Sequence, residues 1–189
     1  YQTNNFLGLG ETLTFSTQLG NLQRSIVFGF TEPYLFDRPI STGFTISSSR
    51  YSFNQSLQTS QLVGQKVQID PNFEQNYNQN STGFTIFASY PMRKFSFARL
   101  GLTYGYQVTN ISAFSTASTL LFETLNFQSL SGPSALKGIR SSAITPTITY
   151  NTVDNPVNPT GGKEFFYSLN WQGLGGNVRA ISNVFETKY

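Results

Sequence analysis

Alternate residues between Phe97 and Thr109 are apolar or aromatic, and the residues between them are small or polar. The apolar set comprises Ala98, Leu100, Leu102, Tyr104, Tyr106 and Val108. Because successive side chains of a β-strand point to opposite faces, this pattern predicts a strand with one apolar and one polar face. The pattern recurs about eight times, each time over about ten residues, which is typical of a transmembrane β-barrel wall.

The same alternation places the predicted strands along the chain. They cover about residues 9–18, 24–31, 42–51, 82–90, 97–109, 142–151, 163–172 and 178–189. Proline, glycine and aspartate mark turns at residues 32–39 and 152–162. Two long polar connections remain, residues 52–80 and 111–138, and the second predicts a short helix over about residues 118–127.

Connection lengths predict how the strands cross the membrane. Both long connections follow odd-numbered predicted strands, whereas the connections after even-numbered ones are compact. Outer-membrane barrels have short periplasmic turns and longer extracellular loops. We therefore expect the odd-numbered predicted strands to run outward and the chain to enter from the periplasm.

The composition agrees with a wall between hydrocarbon and water. Only 11% of the 189 residues are charged, whereas about 25% is typical of soluble domains, and 15% are aromatic. No stretch approaches the roughly 18 consecutive apolar residues that a transmembrane helix requires. No stretch resembles a signal peptide either, so we expect a mature or trimmed segment. The net charge of +3 is scattered, which gives nucleic-acid binding little support.

The residue types that carry most catalysis are missing. The chain has no cysteine and no histidine, which removes thiol chemistry, the commonest catalytic base and the commonest metal ligand. The acids Glu11, Glu32, Asp37 and Asp154 lie at predicted strand ends or turns, where such residues serve as turn formers. We therefore predict no enzyme activity, no cofactor and no metal site.

Alternation leaves two other β-barrel classes open. A soluble lipocalin-like barrel would point Leu100, Leu102, Tyr104 and Tyr106 inward. A small closed barrel, acting as a passive pore, would have a narrow interior filled by side chains. The residues opposite the apolar face are mostly Thr, Ser, Gly and Asn, which would pack a narrow interior loosely. This observation favours half of a larger barrel.

Three stretches resemble the BamA-like outer-membrane β-barrel assembly factors of the bacterial surface antigen superfamily. Residues 4–10 (NNFLGLG) resemble the family's entry into its first strand. Residues 28–36 (FGFTEPYLF) resemble its second strand and first periplasmic turn. Residues 144–150 with 152–162 (TVDNPVNPTGG) resemble its sixth strand and the turn after it, and residues 173–176 fit the hairpin that follows.

The resemblance implies an all-β, antiparallel, up-and-down transmembrane β-barrel in the bacterial outer membrane. Family members carry POTRA domains before a barrel of about sixteen strands. We expect residues 1–189 to be a single segment of about eight strands, the N-terminal half of such a barrel, without the POTRA domains and the C-terminal strands. The Arg-Gly-aromatic motif of the family's inward-folded loop is also missing.

The implied function is assembly and insertion of other outer-membrane barrels, by templating client β-strands at the first-strand edge. A secretion pore of the same superfamily is the alternative. The implied partners are outer-membrane lipids, client β-barrel proteins and accessory assembly lipoproteins, with a homo-oligomer of the segment as a further expectation. The resemblance assigns the strand-pairing edge, or lateral gate, to Leu9, Gly10, Glu11, Thr12, Leu13, Thr14, Phe15, Ser16 and Thr17.

The apolar positions of the predicted strands form the expected lipid-facing set, although an aromatic face can also stack on a ligand. This set comprises Phe28, Phe30, Phe44, Ile46, Phe84, Ile86, Leu100, Leu102, Tyr104, Ile144, Ile148, Phe165, Tyr167, Leu169 and Trp171.

Overall fold

A computed structural model of the chain describes residues 1–6, 8–124, 138–155, 157 and 160–188. They form one nine-stranded sheet in which each strand pairs antiparallel with the next. The strands are β1 (Gln2–Phe6), β2 (Glu11–Leu19), β3 (Gln23–Glu32), β4 (Ser41–Asn54), β5 (Asn76–Pro91), β6 (Ala98–Ala113), β7 (Ile139–Asn151), β8 (Glu164–Gln172) and β9 (Ala180–Lys188). The predicted all-β, up-and-down antiparallel fold is confirmed. Within the described residues no ladder joins β9 to β1, so this sheet is not closed.

The structure has one strand more than the alternation predicts. Gln2–Phe6 forms β1, ahead of the strand that the sequence places first. Its sequence, QTNNF, is nearly all polar and carries no period-two signal. It becomes a strand because the chain turns back at Gly8 and Gly10, both at positive φ, and pairs with β2. Residues 4–6 therefore belong to β1, and residues 8–10 lie in the turn before β2.

The long polar connection predicted over residues 52–80 is largely ordered structure. Strand β4 continues to Asn54, helix α1 spans Gln55–Val63, and β5 already begins at Asn76. The Asn54 side chain accepts a hydrogen bond of 2.8 Å from the Leu57 N–H and so caps α1. Gly64, in the left-handed conformation with φ 70°, ends it. Alternation missed these ends because their aromatic residues, Phe53 and Tyr77, lie on the face opposite to the apolar row, while polar residues continue that row.

The second long connection contains helix α2 (Thr116–Thr124), so the helix predicted over residues 118–127 begins two residues earlier. Residues 125–127 of that predicted helix, including Leu125 whose spacing supported it, lie outside the described residues. The two ends of the sheet can now be named. The helical end carries α1, α2 and the connections 20–22 and 173–179. The turn end carries the connections 33–40 and 92–97 and the described residues of two others, 8–10 and 152–155 with 157 and 160–163; the connection 33–40 includes a 3-10 turn at Leu35–Asp37.

Candidate membrane face and sheet edges

The register of the ladders puts the predicted lipid-facing residues on one face, called the outer face here. Phe28 lies opposite Ile46, and Ile46 lies opposite Phe84 on the next strand. The row continues with Tyr106 on β6. By the same pairing and the two-residue alternation, one face holds Phe28, Phe30, Phe44, Ile46, Phe84, Ile86, Leu100, Leu102, Tyr104, Ile144, Ile148, Phe165, Tyr167, Leu169 and Trp171.

Neighbouring strands contact one another through rings on the outer face. The Phe28 and Phe44 ring centroids are 5.9 Å apart, and those of Phe84 and Tyr106 are 6.0 Å apart. Phe165 of β8 makes an edge contact with Phe185 of β9 at 5.0 Å. Such cross-strand pairs stabilise a sheet by about 0.2–1 kcal/mol each. They fix the register but leave the outward surface of the rings uncovered.

The outer face stays open although it is apolar. Leu102 is 53% exposed and Trp171 is 51% exposed. A continuous apolar surface across this many strands exceeds what a soluble monomer exposes and indicates a membrane or protein contact. In the described part of the chain, no helix is long and apolar enough to cross a membrane.

The opposite face, called the inner face here, is lined by small and polar side chains. Gly43 lies opposite Phe87, whose ring packs over it, and a Cβ on Gly43 would come within 2.7 Å of that ring. Gly101 lies opposite Thr147, whose hydroxyl occupies the space of a Cβ. At these two positions any residue larger than glycine would force the neighbouring atoms to shift. The two faces of the sheet are therefore chemically distinct along its length.

At the helical end, α2 covers part of the inner face. Phe53 and Tyr77, opposite each other on β4 and β5, stack at 5.0 Å, and Phe122 of α2 meets Tyr77 edge-on at 5.2 Å. Ser118 is fully buried, and its hydroxyl accepts a 2.8 Å hydrogen bond from the Asn76 N–H. The sequence did not predict this docking, because nothing in the sequence of α2 or of β5 identifies the other element as its packing partner.

The turn end contains the acids that the sequence assigned to turns. Asp154 accepts hydrogen bonds from the backbone N–H groups of Asn155, Thr160 and Gly161 at 2.9–3.2 Å. The Thr160 hydroxyl also donates to its carboxylate. Led by the hydroxyl donor, these bonds lower the pKa of Asp154 to about 2 from 3.8. Glu32 similarly accepts a 2.8 Å bond from the Tyr34 N–H.

The residues predicted as the strand-pairing edge do not form the outermost strand. Leu9 and Gly10 lie in the turn before β2, and Glu11–Thr17 lie within β2. β1 pairs with β2 from Glu11 to Thr14, and Tyr1 and Phe15 exchange two backbone bonds of 2.8 Å. Leu13, Thr14 and Phe15 therefore have backbone partners on both sides. In the described ladders Glu11 pairs with β1 alone, and Thr12, Ser16 and Thr17 pair with β3 alone.

The outermost strands of the described sheet are β1 and β9. Because Tyr1 exchanges hydrogen bonds with Phe15 and antiparallel pairs alternate, the Gln2 N–H points away from β2. Strand β9 is exposed along its whole length and is tied to β8 by its ladder and by the Lys188–Glu164 ion pair at 3.2 Å. Both outer edges present backbone groups that can template another strand.

Titratable side chains do not gather into a catalytic or metal centre in the described residues. No group of three His, Cys, Asp or Glu side chains there is arranged to hold a metal ion. Glu11 is buried, and one of its carboxylate oxygens has no hydrogen-bond partner. The features that the structure does assemble are the outer face and the two sheet edges.

Comparison with known proteins agrees with this architecture. Residues 5–189 match the family described as the Omp85 superfamily domain. The fold is similar to a crystal structure of BamA from Haemophilus ducreyi lacking POTRA domains 1–3, with a TM-score of 0.58 and 17% sequence identity. The similarity covers 93% of this chain but only 31% of that BamA chain, so the present chain spans about a third of its length. No curated protein matches the chain in sequence.

Proposed function

Because the chain belongs to the Omp85 superfamily, we propose that it is a wall segment of a bacterial outer-membrane barrel that inserts other β-barrels. The observation that carries the proposal is a sheet with an open apolar face that ends in strands with unpaired outward backbone groups. An incoming client strand can satisfy its own backbone groups on such an edge before it meets hydrocarbon. Every step is non-covalent and uses no cofactor.

The outer face contacts outer-membrane lipid in this proposal. An apolar face of this size is stable only against hydrocarbon or another apolar surface. The polar inner face would then line the barrel interior, as in outer-membrane barrels generally. Client β-barrel proteins and accessory lipoproteins are the proposed protein partners.

In this proposal the strand that templates clients is β1, one strand further out than β2, the edge predicted from sequence. Residues 13–15 already pair with both β1 and β3, so their backbone groups are not available to a client. We assign the templating role to the outward edge of β1, where the Gln2 N–H faces away from β2. This edge meets either a client strand or a further strand of the same protein, and the experiment decides between them.

The test uses the intact protein reconstituted in phospholipid vesicles with an unfolded client barrel. Gln2→Pro removes an outward N–H while leaving the bonds to β2 in place, and proline is tolerated at such an edge position. We expect client folding, followed by the gel mobility of the folded barrel, to slow about tenfold. Gln2→Ala is the matched control and should fold clients at the original rate.

Two results would overturn the proposal. Gln2→Pro and Gln2→Ala with equal client-folding rates would remove β1 from the insertion step. A cysteine at Asn4 that cross-links only to another strand of the same protein, with or without client, would make β1 an ordinary wall strand. Passage of a polypeptide across the vesicle without insertion would favour the secretion-pore alternative.

A further inference from the structure

Two arginines meet on the outer face at the helical end of the sheet. Arg24 of β3 lies directly opposite Arg50 of β4, in the rows just beyond the apolar residues. A cavity of about 150 Å³ opens between them and is lined by Asn21, Leu22, Arg24, Arg50 and Ser52. The sequence separates these arginines by a whole hairpin, so only the register brings them together.

The pair is electrostatically unfavourable as it stands. Like charges directly opposite each other on neighbouring strands destabilise a sheet. Arg24 donates from Nε to the Gly20 carbonyl oxygen at 3.4 Å, and neither arginine forms an ion pair among the described residues. Arg140 of β7 lies on the same face and at the same end, opposite Val108. This end of the outer face thus collects positive charge, and a bound anion would relieve the repulsion.

The neighbouring residues indicate the chemistry of that anion. Ile26, on the same face two residues further along β3, is 52% exposed and marks the start of the apolar surface. Two residues of a strand span about 7 Å, so one small ligand can contact both. A phosphate joined to acyl chains matches this arrangement, because guanidinium groups bind phosphate through two parallel hydrogen bonds. A free phosphate would use the arginines but gain nothing from the apolar surface.

We propose that Arg24 and Arg50 bind the phosphate group of a membrane lipid in the leaflet at the helical end. If this end faces outward, as the connection lengths indicate, the lipid is a phosphorylated glycolipid of the outer leaflet. Bound there, the lipid bridges β3 and β4 at the membrane surface. The proposal concerns lipid binding alone and does not depend on client insertion.

The test measures binding of lipid A to the intact protein in detergent micelles by native mass spectrometry and titration. We expect Arg24→Gln with Arg50→Gln to weaken binding about tenfold or more, since two charge-assisted contacts are lost. The matched control is the Arg38 variant, Arg38→Gln with Arg93→Gln, which also removes two positive charges, from exposed positions at the turn end, and should change the affinity less than about twofold. Arg24→Lys with Arg50→Lys keeps the charge but not the planar fork, and should give an intermediate loss.

Arg50→Gln alone is the second variant, because Arg24 also bonds to the turn backbone and its loss can disturb folding. Equal losses in the Arg38 and Arg24/Arg50 variants would reduce the effect to overall charge and overturn the site. Inorganic phosphate that competes at the same concentration as lipid A would overturn the lipid assignment. Unchanged lipid binding in a folded Arg50→Gln variant would also refute the proposal.

Discussion

Leu102 provides the most direct test of which face meets hydrocarbon. It lies on the outer face of β6, four residues from the turn-end start of that strand, and is 53% exposed. Four residues span about 14 Å along a strand. At a tilt of about 45° this corresponds to about 10 Å of depth, close to the middle of an apolar band about 25 Å tall. Leu102→Lys should therefore lower the free energy of unfolding of the membrane-inserted protein by about 2–4 kcal/mol.

A loss of this size changes the ratio of folded to unfolded protein by roughly 30-fold to 1,000-fold. The assay is equilibrium urea unfolding of the intact protein in phospholipid vesicles, followed by tryptophan fluorescence. Thr103→Lys is the matched control, since Thr103 is the next residue on the same strand and belongs to the inner face. It should cost less than about 1 kcal/mol, because a lysine in an aqueous interior stays hydrated. Equal losses, or a larger loss at Thr103, would refute the assignment of the faces.

Two further predictions address the inner face and the turn end. Gly43→Ala should destabilise the protein by about 1–3 kcal/mol, because the new Cβ meets the Phe30 carbonyl oxygen and the Phe87 ring. Gly105→Ala, whose Cβ would lie 3.7 Å from the nearest atom, should be neutral in the same urea assay. Equal effects would contradict close packing at Gly43. The Thr160 amide resonance should titrate with a midpoint of about 2, because the hydrogen bonds of the turn lower the pKa of Asp154. The stabilisation of the turn by the Asp154 carboxylate is complete above pH 3.8 and is lost as the pH falls through about 2. Asp154→Asn should abolish that titration, and a midpoint near 3.8 would show that the turn bonds do not favour the carboxylate.

Strand β1 shows what alternation alone does not detect in this chain. Alternation identifies strands by their two faces, and Gln2–Phe6 has no apolar face to detect. Its strand conformation depends on ladder bonds to β2, which are long-range contacts that no local pattern contains. Because this strand was not predicted, β2 was expected to be outermost, whereas β1 lies outside it in the described sheet; the pairing role of residues 9–17 stays a prediction.

The period of two by itself determined the fold class and the division of side chains between two faces, because a strand's pleat forces alternate residues apart. The predicted lipid-facing residues therefore share one face in the structure. The tertiary structure alone decided which residues are neighbours across the sheet. Register sets the Arg24–Arg50 contact, the cover of Gly43 by Phe87 and the docking of α2 on Tyr77. These contacts join residues far apart in the chain, and their geometry follows from the complete set of ladder bonds.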